Sequence, residues 1–283
     1  LEGVGEWTHA YADAANTTNS NDTTLTDEYA LRWFGGPGAG RMVDRHLRTT
    51  ASLAGGGRLF IPGNDIVIGV DAYNGLELWS TPLPGFTRTG APYDGGWWAL
   101  GPTGLFAAAG DRAYTLDTTD GAIVARHEIP LRAREACGPV GDPRPRCEWG
   151  WLALDGARLL GTAALPGTAR LEQNRAAVVD QYSENEPLAT SRALFSIDRP
   201  TGKVDWVYRE GVIVNSTIAV RDGRIIFLES RSDPALEKHD GRVTLEDLQR
   251  GPLDLVAIDL KKGRRLWRVP IEGERFKHSV FVA

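Results

Sequence analysis

One spacing recurs along the chain and restricts what it can fold into. An Asp is followed by Gly four residues on and by Trp eight residues on, in "GVDAYNGLELW" (69–79), "SIDRPTGKVDW" (196–206) and "AIDLKKGRRLW" (257–267). The triples are Asp71, Gly75, Trp79; Asp198, Gly202, Trp206; and Asp259, Gly263, Trp267. A fourth copy, "TLDTTDGAIVA" (115–125), keeps Asp117 and Gly121 but carries Ala125 in place of Trp. A repeat of this kind decides the architecture before any local reading does.

The spacing reads as a β-hairpin. Asp ends one strand and caps the turn with its short polar side chain. Gly supplies the positive φ of a tight turn. Trp then lies on the returning strand. A further strand pair precedes several copies, in "GRLFIPGNDIVIGVD" (57–71), "GLFAAAGDRAYTLD" (104–117) and "GRIIFLES" (223–230). The unit is therefore four short antiparallel strands. From Trp33 to Trp79 to Ala125 the interval is 46 residues each time, the length of a propeller blade. The later, longer intervals require insertions, which fit the Cys loop with 166–191 and the stretch 232–252. In the latter, Thr244 with Asp247 and the pair Gly251-Pro252 predict one short helix. "LRWFG" around Trp33 lacks the upstream Asp and Gly and reads as a lone outer strand. The expected organisation is a lead-in segment with connector over 1–54 and about four blades over 55–283, in an incomplete ring that belongs to a longer chain.

Composition narrows the function classes. The 33 Gly and 16 Pro are spread through the sequence, as many turns require. A net charge of −5 without a Lys/Arg block argues against a nucleic-acid partner. No apolar run reaches the length of a membrane-spanning helix. Signatures of Ser/His/Asp nucleophiles, phosphate-binding Gly loops and zinc sites are absent.

The pattern Ala-x-Asp-x-x-x-Gly-x-x-x-Trp resembles the tryptophan-docking motif of pyrroloquinoline-quinone (PQQ) type propellers, of the quinoprotein alcohol dehydrogenase-like fold. "AIDLKKGRRLW" matches it fully, and Gly69 and Ser196 are the departures in the other Trp copies. Asp13, Asn16 and Thr17 stand where such proteins carry an Asp-x-x-Asn-Thr stretch. Longer blocks are similar to PQQ-repeat proteins of planctomycete-type bacteria. The resemblance implies an all-β propeller in which the Trp of one blade packs on the motif of its neighbour. On that reading Trp267→Ala should cost about 3–5 kcal/mol.

The family contains quinoprotein dehydrogenases, which use PQQ and calcium, and repeat proteins that bind no cofactor. Alcohol-oxidising members carry two adjacent Cys, which this chain lacks. The expectation is a non-catalytic binding or assembly scaffold, exported to the periplasm or cell envelope, without cofactor or metal. Its partners would be proteins, or a small ligand at the channel. The alternative is a PQQ- and calcium-dependent oxidoreductase acting on alcohols or sugars.

Five residues are ligand-binding candidates. Arg45 and His46, in "MVDRHLRT", would receive an anion over the central channel. The other reading of that loop is a solvated connector. Trp97 in "GGWWAL" and Trp149 in "EWGWLAL" would offer aromatic surface to the channel, or would pack between blades. Asn215 in "VNSTIAV" would bind a ligand or serve structural hydrogen bonding. Cys137 and Cys147 bracket "GPVGDPRPR" and form either a local disulfide, worth roughly 2–3 kcal/mol, or two reduced thiols.

Overall fold

The computed structural model describes residues 2–26, 30–43, 49–89, 94–139, 142, 145–168, 187–271 and 282. Four antiparallel sheets carry the chain. The first is β1 (Leu53–Gly55), β2 (Arg58–Gly63), β3 (Ile66–Asp71) and β4 (Glu77–Pro82), paired in sequence order. The second repeats this with β5 (Trp98–Gly101), β6 (Gly104–Ala109), β7 (Arg112–Leu116) and β8 (Ile123–Glu128). A short helix α1 (Leu131–Arg134) leads to the third sheet, which opens with β9 (Glu148–Asp155) and β10 (Arg158–Ala164). Residues 169–186, most of the insertion expected over 166–191, lie outside the described residues; β11 (Thr190–Ser191) follows them and joins the next sheet. The third sheet is completed by β12 (Ala193–Asp198) and β13 (Val204–Tyr208).

The fourth sheet has six strands because two features elaborate it. Its inner strand is interrupted by a buried 3-10 turn at Asn215–Thr217, giving β14 (Val212–Val214) and β15 (Ala219–Arg221), and β11 pairs with β14. Then come β16 (Arg224–Ser230), β17 (Leu253–Asp259) and β18 (Arg265–Pro270). Between β16 and β17 lie α2 (Asp233–Glu237) and α3 (Leu245–Gln249). The helix predicted from Thr244 is α3, with both halves of the capping box formed. Helix α2 is an addition to that expectation, capped by Ser232 and with Pro234 in its first turn. No helix among the described residues is long and apolar enough to cross a membrane.

The repeat motif works within its own hairpin. Gly75, Gly121, Gly202 and Gly263 all have positive φ, between 63° and 74°. Each donates its N–H to the carbonyl of the motif Asp at 2.8–2.9 Å. The Asp side chains accept from the turn backbone, as Asp71 Oδ1 does from Tyr73 and Asn74. The Thr119 N–H holds the Asp117 carboxyl below its usual range, and the Thr201 hydroxyl does so for Asp198.

The register explains the first motif position. Gly69, Ser196 and Ala257 lie directly opposite Trp79, Trp206 and Trp267. A β-carbon on Gly69 would collide with the Trp79 ring. Where the Trp is replaced by Ala125, the facing residue is the larger Thr115.

The indoles reach the following hairpin. Trp79 lies over Gly121 and donates to Thr118 O at 2.9 Å, and Trp206 lies over Gly263 and donates to Leu260 O at 2.9 Å. Trp33 does the same with Gly75 and Ala72 O at 3.0 Å. Residues 30–36 form no strand, so the expected lone outer strand is corrected: Trp33 is held by its ring and N–H from an irregular segment. Among the described residues nothing lies within 4 Å over Gly202, where Ala125 stands in for the missing indole. Trp267 is 38% exposed, so the cost expected of its removal does not apply to this packing.

The lead-in segment runs across the inner strands of all four sheets. Trp7 exchanges backbone hydrogen bonds with Ala54 on β1, and Thr8 O accepts from Leu100 on β5. His9 Nε2 accepts from Leu154 N on β9. Ala14 O accepts from Val220 on β15, and Asn16 Nδ2 donates to Ile218 O. The segment thus lies at the hub where the four inner strands converge.

Candidate functional site

Several of the buried polar groups gather at this hub. The connection after β4 carries Arg88 and Asp94, 2% and 1% exposed. Arg88 Nη1 lies 3.5 Å from Asp94 Oδ2. The same guanidinium donates to the carbonyls of Trp149 and Gly150 at the start of β9. Its cationic centre stands 5.2 Å from the centroid of the Trp97 ring. One arginine therefore joins the first connection to the third sheet. Burial pushes the Asp94 carboxyl up to about 6, against the opposing pull of Arg88. Burial, and secondarily the Asp94 charge, raises the Tyr11 phenol.

Glycines let these elements meet. Gly95 and Gly96 have φ of 70° and 100°. A β-carbon on Gly95 would strike the carbonyl of Asn215, and one on Gly96 would strike Ala10. Gly150 faces Ser191 Oγ, Thr162 Oγ1 and Asn215 Nδ2 in the same way. Asn215 is fully buried. Its N–H donates to Ala189 O, and its Oδ1 accepts from the Ser191 hydroxyl at 2.7 Å. Ser191 Oγ also lies 2.8 Å from Thr162 Oγ1, which accepts from Trp151 N.

Asn215 Nδ2, Asp94 Oδ1 and the indole nitrogens of Trp97 and Trp149 have no hydrogen-bond partner among the described residues. Buried orphans of this kind ask for an explanation, such as an ordered water or a ligand.

His9 completes the hub. Its Nε2 accepts from Leu154 N, so the proton resides on Nδ1, 2.9 Å from Thr8 Oγ1. Burial lowers its pKa to about 4, with Asp13 opposing.

The structure thus brings Trp97, Trp149 and Asn215 together around a pair, Arg88 and Asp94, that sequence reasoning missed. Arg45 and His46 lie outside the described residues. Trp97 and Trp149 do not present open aromatic surface, being 1% and 0% exposed. Arg88 covers Trp97, while Trp149 lies over Gly161 with Phe195 edge-on at 5.0 Å. As packed, neither indole face is open to a planar ligand. Glu229 and Arg231, near Asn215 in sequence, are engaged elsewhere: Glu229 with Arg268 at 2.6 Å and Arg231 with Asp254 at 2.8 Å. No group of three His, Cys, Asp or Glu side chains suited to a metal gathers among the described residues.

Four antiparallel sheets ranged about a common hub define a β-propeller, with an incomplete ring. Residues 63–281 match the PQQ_2 family model, described as outer membrane protein assembly factor BamB. The chain belongs to this PQQ-repeat family. One solved structure agrees in fold. The quinohemoprotein alcohol dehydrogenase of Comamonas testosteroni is similar over 94% of this chain and 41% of its own, at 13% identity and a TM-score of 0.57. BamB from Moraxella catarrhalis is similar over 77% of this chain and 50% of its own, at 16% identity and a TM-score of 0.44. The chain spans half or less of the length of these two structures. No curated protein matches it.

Proposed function

We propose that this propeller is a non-catalytic binding and assembly scaffold of the cell envelope, recruiting protein partners through its loops and blade edges. The observation that carries the reading is the packing of the hub. Arg88 and Phe195 already take up the surroundings of the two indoles, where a stacked quinone would need an open ring face. Membership of a family described by an outer membrane assembly factor supports both the scaffold role and the location. The test uses the complete protein with added PQQ and calcium, followed by dye reduction with alcohols and aldoses. No tight binding and no turnover are expected; tight PQQ binding with turnover overturns the reading. Fractionation of cells producing the complete protein is expected to place it outside the cytoplasm.

The second reading is a PQQ- and calcium-dependent oxidoreductase. The orphan atoms of Asn215, Asp94, Trp97 and Trp149 favour it, because a polar ligand at the hub would satisfy them. PQQ would there supply two-electron oxidation of an alcohol or sugar. On this reading Asn215 Nδ2 and the indole N–H groups would orient the ligand, and Asp94 would hold a proton beside it.

A further inference from the structure

Beyond the hub, a cavity beside Cys147 has charges that already meet: Arg134 and Asp111 stand 3.9 Å apart on its wall. Cys147 and Cys137 are free thiols, not a disulfide. Another cavity, of about 360 Å³, differs in how its charges stand. It lies where the lead-in segment meets the first two sheets. Its wall takes Glu6 from the lead-in, Gly55, Gly56 and Arg58 from around the β1–β2 turn, and Leu100 and Pro102 from the end of β5. It shares no charged or aromatic side chain with the hub. The volume is at the low end of the roughly 300–1,000 Å³ of small-molecule sites.

Backbone hydrogen bonds fix the wall. Glu6 N donates to Ser20 O at 3.2 Å, Trp7 and Ala54 exchange bonds at 2.8 and 2.9 Å, and Leu100 N donates to Thr8 O at 2.8 Å. Glu6 Oε1 accepts from Gly56 N at 3.3 Å, which sets the carboxylate on this wall. A β-carbon on Gly55 would strike Leu100 Cδ2 at 2.7 Å and stand 3.0 Å from Glu6 Oε1. The missing side chain therefore lets a carboxylate and an apolar surface stand next to one another. Arg58 is the opposite charge. Among the described residues it forms no ion pair with Glu6, and its Nε is buried without a hydrogen-bond partner. Asp117, a carboxylate that feels its charge, is held first by Thr119 N at 2.6 Å and by Arg58 least of all. An arginine left in this state gains by meeting a carboxylate, because its unmade hydrogen bonds carry a desolvation cost.

We propose that this cavity binds a free α-amino acid with an aliphatic side chain. The Arg58 guanidinium takes its carboxylate, since the planar fork of donors matches that group. Glu6 takes its ammonium, and Leu100 and Pro102 take its side chain. A ligand with one charge would leave the other wall charge desolvated and unmatched, which sets the preference for a zwitterion. The bound molecule joins the lead-in segment to the first and second blades, whichever reading of the hub holds.

Calorimetric titration of the complete protein with L-leucine tests this, with isocaproate and isopentylamine as the same skeleton lacking the ammonium or the carboxylate. Leucine should bind with a Kd at or below about 1 mM and raise the Tm as its concentration rises. Each analogue should bind at least about ten-fold more weakly. Arg58→Gln and Glu6→Gln should each weaken leucine at least about ten-fold. Arg112→Gln, at an exposed arginine on β7, should leave it unchanged. No saturable binding of leucine overturns the proposal. Analogues that bind as tightly as leucine overturn the zwitterion, and leucine binding that neither substitution weakens overturns the site. The analogue series uses the unmutated protein, so it decides the ligand class even where a variant fails to fold.

Discussion

His9 and Asp94 titrate in opposite senses within the same hub. The His9 pKa falls from 6.5 to about 4 on folding. Its stabilising contribution is present above 6.5 and is lost as pH falls toward 4, by about 3 kcal/mol. Asp94 is raised from 3.8 to about 6. Its contribution is full below 3.8 and is lost as pH rises through 6, by an amount of similar size. Acidification from pH 7 to 4.5 therefore moves stability little through this pair. His9→Gln should gain stability over that range and Asp94→Asn should lose it, read by denaturant unfolding at each pH. Parallel pH profiles for the two variants would contradict this account. Arg88→Met removes the cation from a buried carboxylate and leaves two carbonyls unsatisfied, which should cost about 3–5 kcal/mol at pH 8. The cost should shrink at pH 5, where Asp94 accepts a proton; a cost that does not depend on pH would refute the pairing. These residues were not legible in the sequence, because the partners of Arg88 are carbonyls 61 and 62 residues away. The nearest signal was "YDGGWW", where an Asp precedes two glycines that must admit Asn215 and Ala10.

At the scale of the hairpin, most of the pattern was readable because Asp, Gly and the residue facing Trp each do a local task. What spacing alone did not reveal is which indoles are seated. Trp79 and Trp206 are 7% and 8% exposed, against 38% for Trp267. Trp206→Ala should cost about 3–5 kcal/mol as a large buried aromatic is lost, and Trp267→Ala should cost less than about 1 kcal/mol in this chain. Equal costs in calorimetry would show that the seat over the next glycine is not what holds these rings. At the hairpin that lacks Trp, Ala125→Trp should be tolerated better together with Thr115→Gly than alone. A coupling of about 1–2 kcal/mol in the double-mutant cycle is expected, and simple additivity would count against the facing-residue argument. The helices divide in the same way. Helix α3 announces itself through the paired cue of Thr244 and Asp247, while α2 offers only Ser232 with Pro234, a weaker signal because no acidic side chain returns to the cap.

Across the whole molecule, the lead-in segment behaves as a common strap rather than as the edge of the first blade. Its anchors at Ala54, Leu100, Leu154 and Val220 belong to four different sheets. A chain's earliest residues ordinarily fold with their near neighbours in sequence, and contacts of large sequence separation form late. Here Asn16 waits for Ile218, some two hundred positions downstream. This segment would leave the ribosome ahead of the blades, yet Asn16 completes its hydrogen bonds, to Ile218 O and Val282 O, only after the fourth blade has been synthesised. Nascent chains stalled before residue 218 should therefore expose the lead-in segment around Trp7–Asn16 to protease even when their blades resist it.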